Sequence, residues 1–240
     1  MLMTSKVKIY HGENYLLKIV YEDQNIIVVE KPSGILTHHA ESHPKATLTT
    51  LVNKYLHDTQ GFINSNAMCC HRLDYNTSGL VIFAKNEDAW SAMKLIFKNH
   101  EIKKYYRCVV KGSPLPRQAE LHHFHSMGPN NRAIIHDSMV PGSTEIFTKY
   151  KVLNSRKKMS LLEIELVTGK THQIRAHLAH IGYPIVGDRK YGDTAFNKKQ
   201  NVNIQALRAF KIEFDFEDGG MLNYLNGKRF EIPNNLAVKI

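Results

Sequence analysis

The chain has 240 residues, 42% of them hydrophobic, enough for one sizeable core or for two small lobes sharing a sheet. Lys plus Arg exceed Asp plus Glu by 32 − 22 = 10, which favours an anionic partner such as nucleic acid, a phosphate-rich ligand or a membrane surface. No run approaches the roughly 18 apolar residues of a membrane span, the N-terminal MLMTSKVKIYHG lacks the apolar segment of a signal peptide, and three cysteines with no CxxC pair support neither a disulfide framework nor a cysteine-rich zinc site, so a cytoplasmic, membrane-free protein is expected.

The first readable strand is NIIVVE (25 to 30), introduced by Glu22, Asp23 and Gln24 and stopped by Pro32 and Gly34 in KPSG. TLTTLVNKYLH then carries Leu48, Leu51, Val52, Tyr55 and Leu56 at the spacing of one helical face, with Thr47 placed to cap it. HRLDYNTSG (71 to 79) leads into the strand LVIFA (80 to 84). Asn86 caps the helix EDAWSAMKLIFKNH, whose first turn is acidic and whose last is basic, as the helix dipole favours. KKYYRCVV (103 to 110) is a strand rich in aromatic and β-branched residues, ended by Gly112, Pro114 and Pro116.

Residues 117 to 145, with HHFH, GPNN and PGS, read as hairpins and loops outside the core. Order returns with IFTKYKVL and with LLEIELV, where Leu162, Ile164 and Leu166 alternate with Glu163 and Glu165 as on a half-buried strand. In the following TGKTHQIRAHLAHIG, Thr171 is placed to cap a helix whose Ile174, His177, Leu178 and Ile181 share a face, and Gly182 with Pro184 ends it. With no repeat and no linker, the expectation is α+β: one domain over residues 1 to 240, its mixed, largely antiparallel sheet flanked by helices.

Three residues invite a functional reading. Asp74 stands before the turn NTSG, where an aspartate either satisfies backbone amides or is held for chemistry. Tyr106 is either core packing or a ring on which a base stacks, and Lys103, Lys104, Arg107 and Lys111 around it suit a single-stranded nucleic acid. Arg175, one residue beyond Ile174, can reach the rim of the buried helix face, where a guanidinium keeps a carboxylate ionised.

Four collinear segments, YEDQNIIVVEKPSGILTH, HRLDYNTSGLVIFAKN, EIKKYYRCVVKG and LVTGKTHQIRAHLAHIGYPIVGDRKYG, resemble the RluA-type RNA pseudouridine synthases over nearly the whole chain. The resemblance implies that Asp74 is catalytic, that Tyr106 with Lys104 stacks against the target base, that Arg175 pairs with the catalytic carboxylate, and that Arg72 contacts RNA near the flipped nucleotide. It also implies isomerisation of uridines in structured RNA, with large-subunit ribosomal RNA favoured over transfer RNA. Two positions depart from the family pattern: Lys170 replaces an arginine, keeping charge without bidentate geometry, and Arg208 replaces a histidine. The small N-terminal RNA-binding domain of many relatives is not expected, since the first catalytic-domain strand is placed near residue 19, and the protein is expected to be a monomer.

The chemistry implied needs an ionised carboxylate at the ribose, either attacking the anomeric carbon or removing a sugar proton, in a pocket that excludes water. Being redox-neutral, it calls for no cofactor. The fourteen histidines, including HHFH at 122 to 125 and His172, His177 and His180, raise the question of zinc, but neither HExxH nor a cysteine pair accompanies them, so no metal is expected. The competing function is a non-catalytic RNA-binding module using the same basic surface; a hydrolase using Asp74 would want a second carboxylate, and none lies within its motif.

Overall fold

The computed structural model describes residues 7–12, 15–38, 47–61, 67–236 and 238. In chain order the elements are β1 (Lys8–Gly12), β2 (Tyr15–Glu22), β3 (Ile26–Lys31), α1 (Leu48–Gln60), β4 (Met68–Cys69), β5 (Ser78–Ala84), α2 (Glu87–Lys98), β6 (Ile102–Lys111), β7 (Gln118–Gly128), β8 (Arg132–His136), β9 (Thr144–Arg156), β10 (Met159–Leu166), α3 (Gln173–His180), α4 (Thr194–Lys199), β11 (Leu207–Phe214) and β12 (Arg229–Glu231). Few helices among antiparallel strands make this the expected α+β class. The chain packs as two compact units, residues up to Lys103 with Phe210–Pro233, and Lys104–Ala209 with the C-terminal residues.

In the first unit β1, β2, β3 and β5 pair antiparallel in that order, with β4 also on β5 and β12 on β11. Ile26 to Val29 and Leu80 to Ala84 are fully buried. Their sequences are accordingly continuous apolar runs, as strands covered on both faces require. α1 and α2 pack against β2 and β5 respectively. Both begin where their caps predict: Thr47 and Thr50 form a reciprocal capping box, and Asn86 accepts the N–H of Ala89 at 2.8 Å. β1 and β2 precede the strand expected to come first, because the polar residues of KIYHG and YLLKIVYE give no continuous apolar run.

In the second unit the antiparallel order is β6, β10, β9, β7, β8. β10 shows the predicted alternation, with Leu162, Ile164 and Leu166 buried between half-exposed neighbours. Residues 117 to 145 hold the expected hairpin, as β7 and β8, but more of the segment is strand and less of it loop than expected. β7 alone has 11 residues and pairs on both sides, so HHFH lies inside a strand. Its ladder bonds are made by the backbone whatever the side chains, while histidines at alternating positions hide the period-two pattern. α3 packs against β8 and β9 and starts later than expected: His172, not Thr171, is its N-cap, in a left-handed conformation (φ 56°) with no side-chain cap bond. Among the described residues no helix is long and apolar enough to cross a membrane.

Replacing Thr47 with Ala removes one half of the α1 capping box. The expected cost is about 1 kcal/mol, seen in calorimetry as a midpoint lower by roughly 2–4 °C; an unshifted midpoint would show that the box contributes nothing to α1.

Candidate active site

Asp74 lies on the connection between β4 and β5, and two segments of the first unit fix that connection. Lys31, the last residue of β3, is fully buried and donates from Nζ to three carbonyls: Pro32 O (3.0 Å), Ile35 O (2.8 Å) and Tyr75 O (3.0 Å). The first belongs to the KPSG turn, the second to the residue that follows it, and the third to the residue after Asp74. Two further bonds join the same segments, Gly34 N–H to Tyr75 O (3.0 Å) and the Ser33 hydroxyl to Asn76 O (2.9 Å). Burial pulls the Lys31 pKa down to about 8, and the negative charge of Asp74 opposes that fall.

Thr37 holds the other side of the motif. Its buried hydroxyl donates to Leu73 O (2.9 Å) and accepts from Leu73 N–H (3.1 Å), so one side chain satisfies both backbone groups of the residue before Asp74. The Asp74 carbonyl accepts the Thr77 N–H at 3.0 Å, closing a turn around Tyr75 and Asn76. Upstream, His71 Nε2 accepts the N–H of Ile82 at 3.1 Å, tying the start of HRLD to β5. Asp74 is thus half-buried on a backbone fixed at both neighbours, while Arg72 is exposed.

In the second unit the HQIR arginine is built into α3 by a buried ion pair. Arg175 donates from Nε to Asp188 Oδ2 (2.7 Å) and from Nη2 to Asp188 Oδ1 (3.0 Å), and both residues are buried. Asp188 Oδ1 also accepts the N–H groups of Lys190 (2.8 Å) and Tyr191 (3.1 Å). Burial alone would raise the Asp188 pKa, but Arg175 and those amides hold it below the usual carboxylate value. The guanidinium also lies over the Tyr191 ring, 5.1 Å from its centroid, and the Tyr191 hydroxyl accepts the Ala133 N–H at 2.7 Å. Sequence reasoning placed Arg175 at the rim of a helix face, whereas it is buried, and within its unit its counter-charge is Asp188.

Gly187 explains why Asp188 reaches that position. It has φ +81°, and a Cβ there would sit 2.1 Å from Ile204 O, so the turn admits only glycine. Gln173, also buried, locks the loop before α3: its Nε2 donates to Phe147 O and Thr148 Oγ1, and its Oε1 accepts from Lys170 N–H and Thr168 Oγ1, all at 3.0 Å.

Tyr106 is buried on β6, paired with Ile164, on the same strand face as Lys104. The half-buried Lys104 has its pKa lowered by desolvation, and its Nζ lies 3.4 Å from where a Cβ on Gly169 would stand, so it faces the turn ahead of α3. Lys170 on that turn is exposed, whereas Arg208 on β11 is buried.

A second buried cation-capable side chain sits behind Arg175. His177 is fully buried, with Nδ1 3.0 Å from Thr148 Oγ1 and Nε2 2.8 Å from His123 Nδ1. Desolvation, reinforced by His123 and His180, lowers its pKa to about 3.

The sequence pattern of the RNA pseudouridylate synthases matches residues 25–180, which contain Asp74, Tyr106 and Arg175. The chain belongs to that family. An uncharacterized RNA pseudouridine synthase of Bacillus subtilis (strain 168) is 33% identical over 202 residues, covering 82% of this chain and 63% of the relative. The ribosomal large subunit pseudouridine synthase D of Zymomonas mobilis is 30% identical over 240 residues, covering 92% of this chain and 71% of the relative. The chain spans about 63% of the length of the first two curated relatives it matches. Its fold resembles that of human RNA pseudouridylate synthase domain containing 4, with a TM-score of 0.68 at 22% identity over 81% of this chain and 82% of the other.

Sequence reasoning missed the residues that hold the candidates: Lys31, Thr37, Gln173, Asp188 and Tyr191. A lysine closing an otherwise apolar strand just before Pro-Ser-Gly was a signal for the first. The Gly-Asp pair that begins seven residues after the end of α3 was a signal for the fourth.

Asp188→Asn keeps the shape of the side chain but removes the counter-charge of a buried guanidinium. Urea denaturation is expected to show a loss of about 3 kcal/mol; a loss below about 0.5 kcal/mol would mean that the pair does not anchor α3. His177 sets a pH dependence. Its folded pKa lies below the unfolded value of about 6.5, so the unfolded chain binds the extra proton and stability falls as pH drops below 6.5, down to about 3. Between pH 7 and 5 this amounts to about 2 kcal/mol, and His177→Gln should lose that much less stability than the wild type over the same interval. Equal losses in the two proteins would contradict the assignment.

Proposed function

We propose that this chain is an RNA pseudouridine synthase acting on structured RNA in the cytoplasm, with large-subunit ribosomal RNA as its substrate class. Supporting this are membership of the family and relatives named ribosomal large subunit pseudouridine synthase D. The observation that carries the catalytic reading is the mounting of Asp74. An aspartate serving only its own turn would not need a buried lysine and a buried threonine hydroxyl to fix the backbone on either side of it.

The reaction conserves every atom of the base and sugar except one hydrogen exchanged with solvent. The bond from uracil N1 to the ribose breaks, the ring turns, C5 bonds to the same sugar carbon, the C5 hydrogen leaves, and N1 ends protonated. The target nucleotide leaves the stack first, at a cost of a few kcal/mol. Asp74 is the carboxylate at the ribose, and both routes to bond cleavage need it ionised. Tyr106 is the ring against which the freed base is held, and Arg175, oriented by Asp188, contributes the fixed positive charge. Arg72 and Lys104 contact the RNA. The net charge of +10 supplies attraction for the phosphates.

Asp74→Asn tests the assignment. Tritium release from RNA labelled at uracil C5 is expected to be abolished, while RNA affinity stays within severalfold of wild type. Normal release by the variant would remove Asp74 from the chemistry; full-strength RNA binding by a wild-type protein that releases no tritium from any cellular RNA would favour the binding module instead.

A further inference from the structure

The long strand β7 and the helix α3 bring together three side chains that the synthase reaction does not use. His123 is on β7, Asp137 follows β8, and His180 ends α3. One ligand atom from each lies within 4.8 Å of the other two. His180 Nε2 is 2.7 Å from Asp137 Oδ1, and His123 Nε2 is 3.6 Å from the same oxygen. The two imidazole rings stand edge to face, with centroids 5.0 Å apart. We propose that His123, Asp137 and His180 bind a divalent transition-metal ion, with zinc the best fit, and that the ion fastens α3 to the β7–β8 hairpin.

Two features distinguish this group from a chance surface cluster. The first is its spacing. Zinc held by imidazole nitrogen and carboxylate oxygen at about 2.0–2.2 Å needs ligand atoms roughly 3.3 Å apart. The His123–Asp137 distance of 3.6 Å is within about 0.3 Å of that, and the His180–Asp137 pair at 2.7 Å must open by about 0.6 Å. Asp137 is largely exposed, so its side chain can make that adjustment.

The second feature lies behind His123. Metal-binding histidines usually donate their second ring N–H to an acceptor that fixes tautomer and orientation. His123 Nδ1 is 2.8 Å from His177 Nε2, and His177 Nδ1 is 3.0 Å from Thr148 Oγ1. With protons on both Nδ1 atoms, the chain runs His123 to His177 to Thr148 and leaves the His123 Nε2 lone pair pointing at Asp137. Burial keeps His177 neutral and able to accept. Two imidazoles and a carboxylate suit zinc better than magnesium or calcium, which prefer oxygen ligands alone. A fourth position is open to water. The ion takes no part in the isomerisation, which Asp74 carries; its effect is to brace the helix that holds Arg175. The spacing in the sequence concealed the site, since 14 residues separate His123 from Asp137 and 43 more separate Asp137 from His180.

The test uses the full chain, treated with chelator and desalted, then titrated with zinc chloride alone at pH 7.5 by calorimetry. One saturable equivalent is expected. Asp137→Asn and the double variant His123→Gln/His180→Gln should each weaken it at least about tenfold, and zinc should raise the melting temperature of the wild type but not of the variants. Asp137 is exposed, so Asp137→Asn keeps the test intact if the double variant fails to fold. Absence of a saturable equivalent overturns the proposal. So does an equivalent bound equally well by Asp137→Asn and wild type, which would place the zinc elsewhere, for example on Cys69 and Cys70.

Discussion

A lysine ammonium with no exposure to solvent organises the segment that carries Asp74. Each hydrogen bond from a charged donor to a carbonyl contributes roughly 1.5–3 kcal/mol, and Lys31 makes three of them across two segments of chain far apart in sequence. Desolvation pulls its pKa down to about 8, and the negative charge of Asp74 opposes that fall. A flexible turn would let the Asp74 carboxylate sample many positions. The clamp, with the Thr37 hydroxyl on the other side of Asp74, restricts it to a few, and positioning of this kind accounts for a large part of enzymatic rate enhancement.

The second unit solves a related problem with an ion pair. A guanidinium cannot be buried without a partner, and Asp188 offers both oxygens in the bidentate geometry that arginine favours. That pair is expensive to disturb because breaking it strands a charge away from water. Tyr191 covers the guanidinium face, and Gly187 supplies the only backbone conformation that brings Asp188 beneath it. The same helix is gripped from behind by Gln173 and His177, each bonded to Thr148. Helix α3 is therefore fixed by polar bonds more than by its apolar face, which explains why so short a helix, with no side-chain cap at its start, holds its place.

Much of this was legible in the sequence, for physical reasons that differ from element to element. β3 and β5 could be read because strands buried on both faces must be apolar throughout, and α1 and α2 because Thr47 and Asn86 mark their starts chemically. β10 showed its alternation openly. β7 did not, because its backbone is paired on both sides while polar side chains, three of them histidines, interrupt Ala119, Leu121, Phe124 and Met127 and mimic a loop. The candidate residues Asp74, Tyr106 and Arg175 were recognisable as residue types in recurrent motifs. Their supports were not, since the bonds of Lys31 to Tyr75, of Thr37 to Leu73 and of Arg175 to Asp188 join positions whose proximity only the folded chain creates.

The central claim is that the Lys31 ammonium holds the Asp74 segment in a working position. The most direct measurement is the turnover number of Lys31→Met, a side chain of similar length without donors, in a preparation shown by circular dichroism to be folded at the assay temperature. The account predicts that kcat for pseudouridine formation falls at least about tenfold while RNA affinity changes little, as expected when a reacting group is misplaced rather than lost. A folded Lys31→Met protein with wild-type kcat would contradict it.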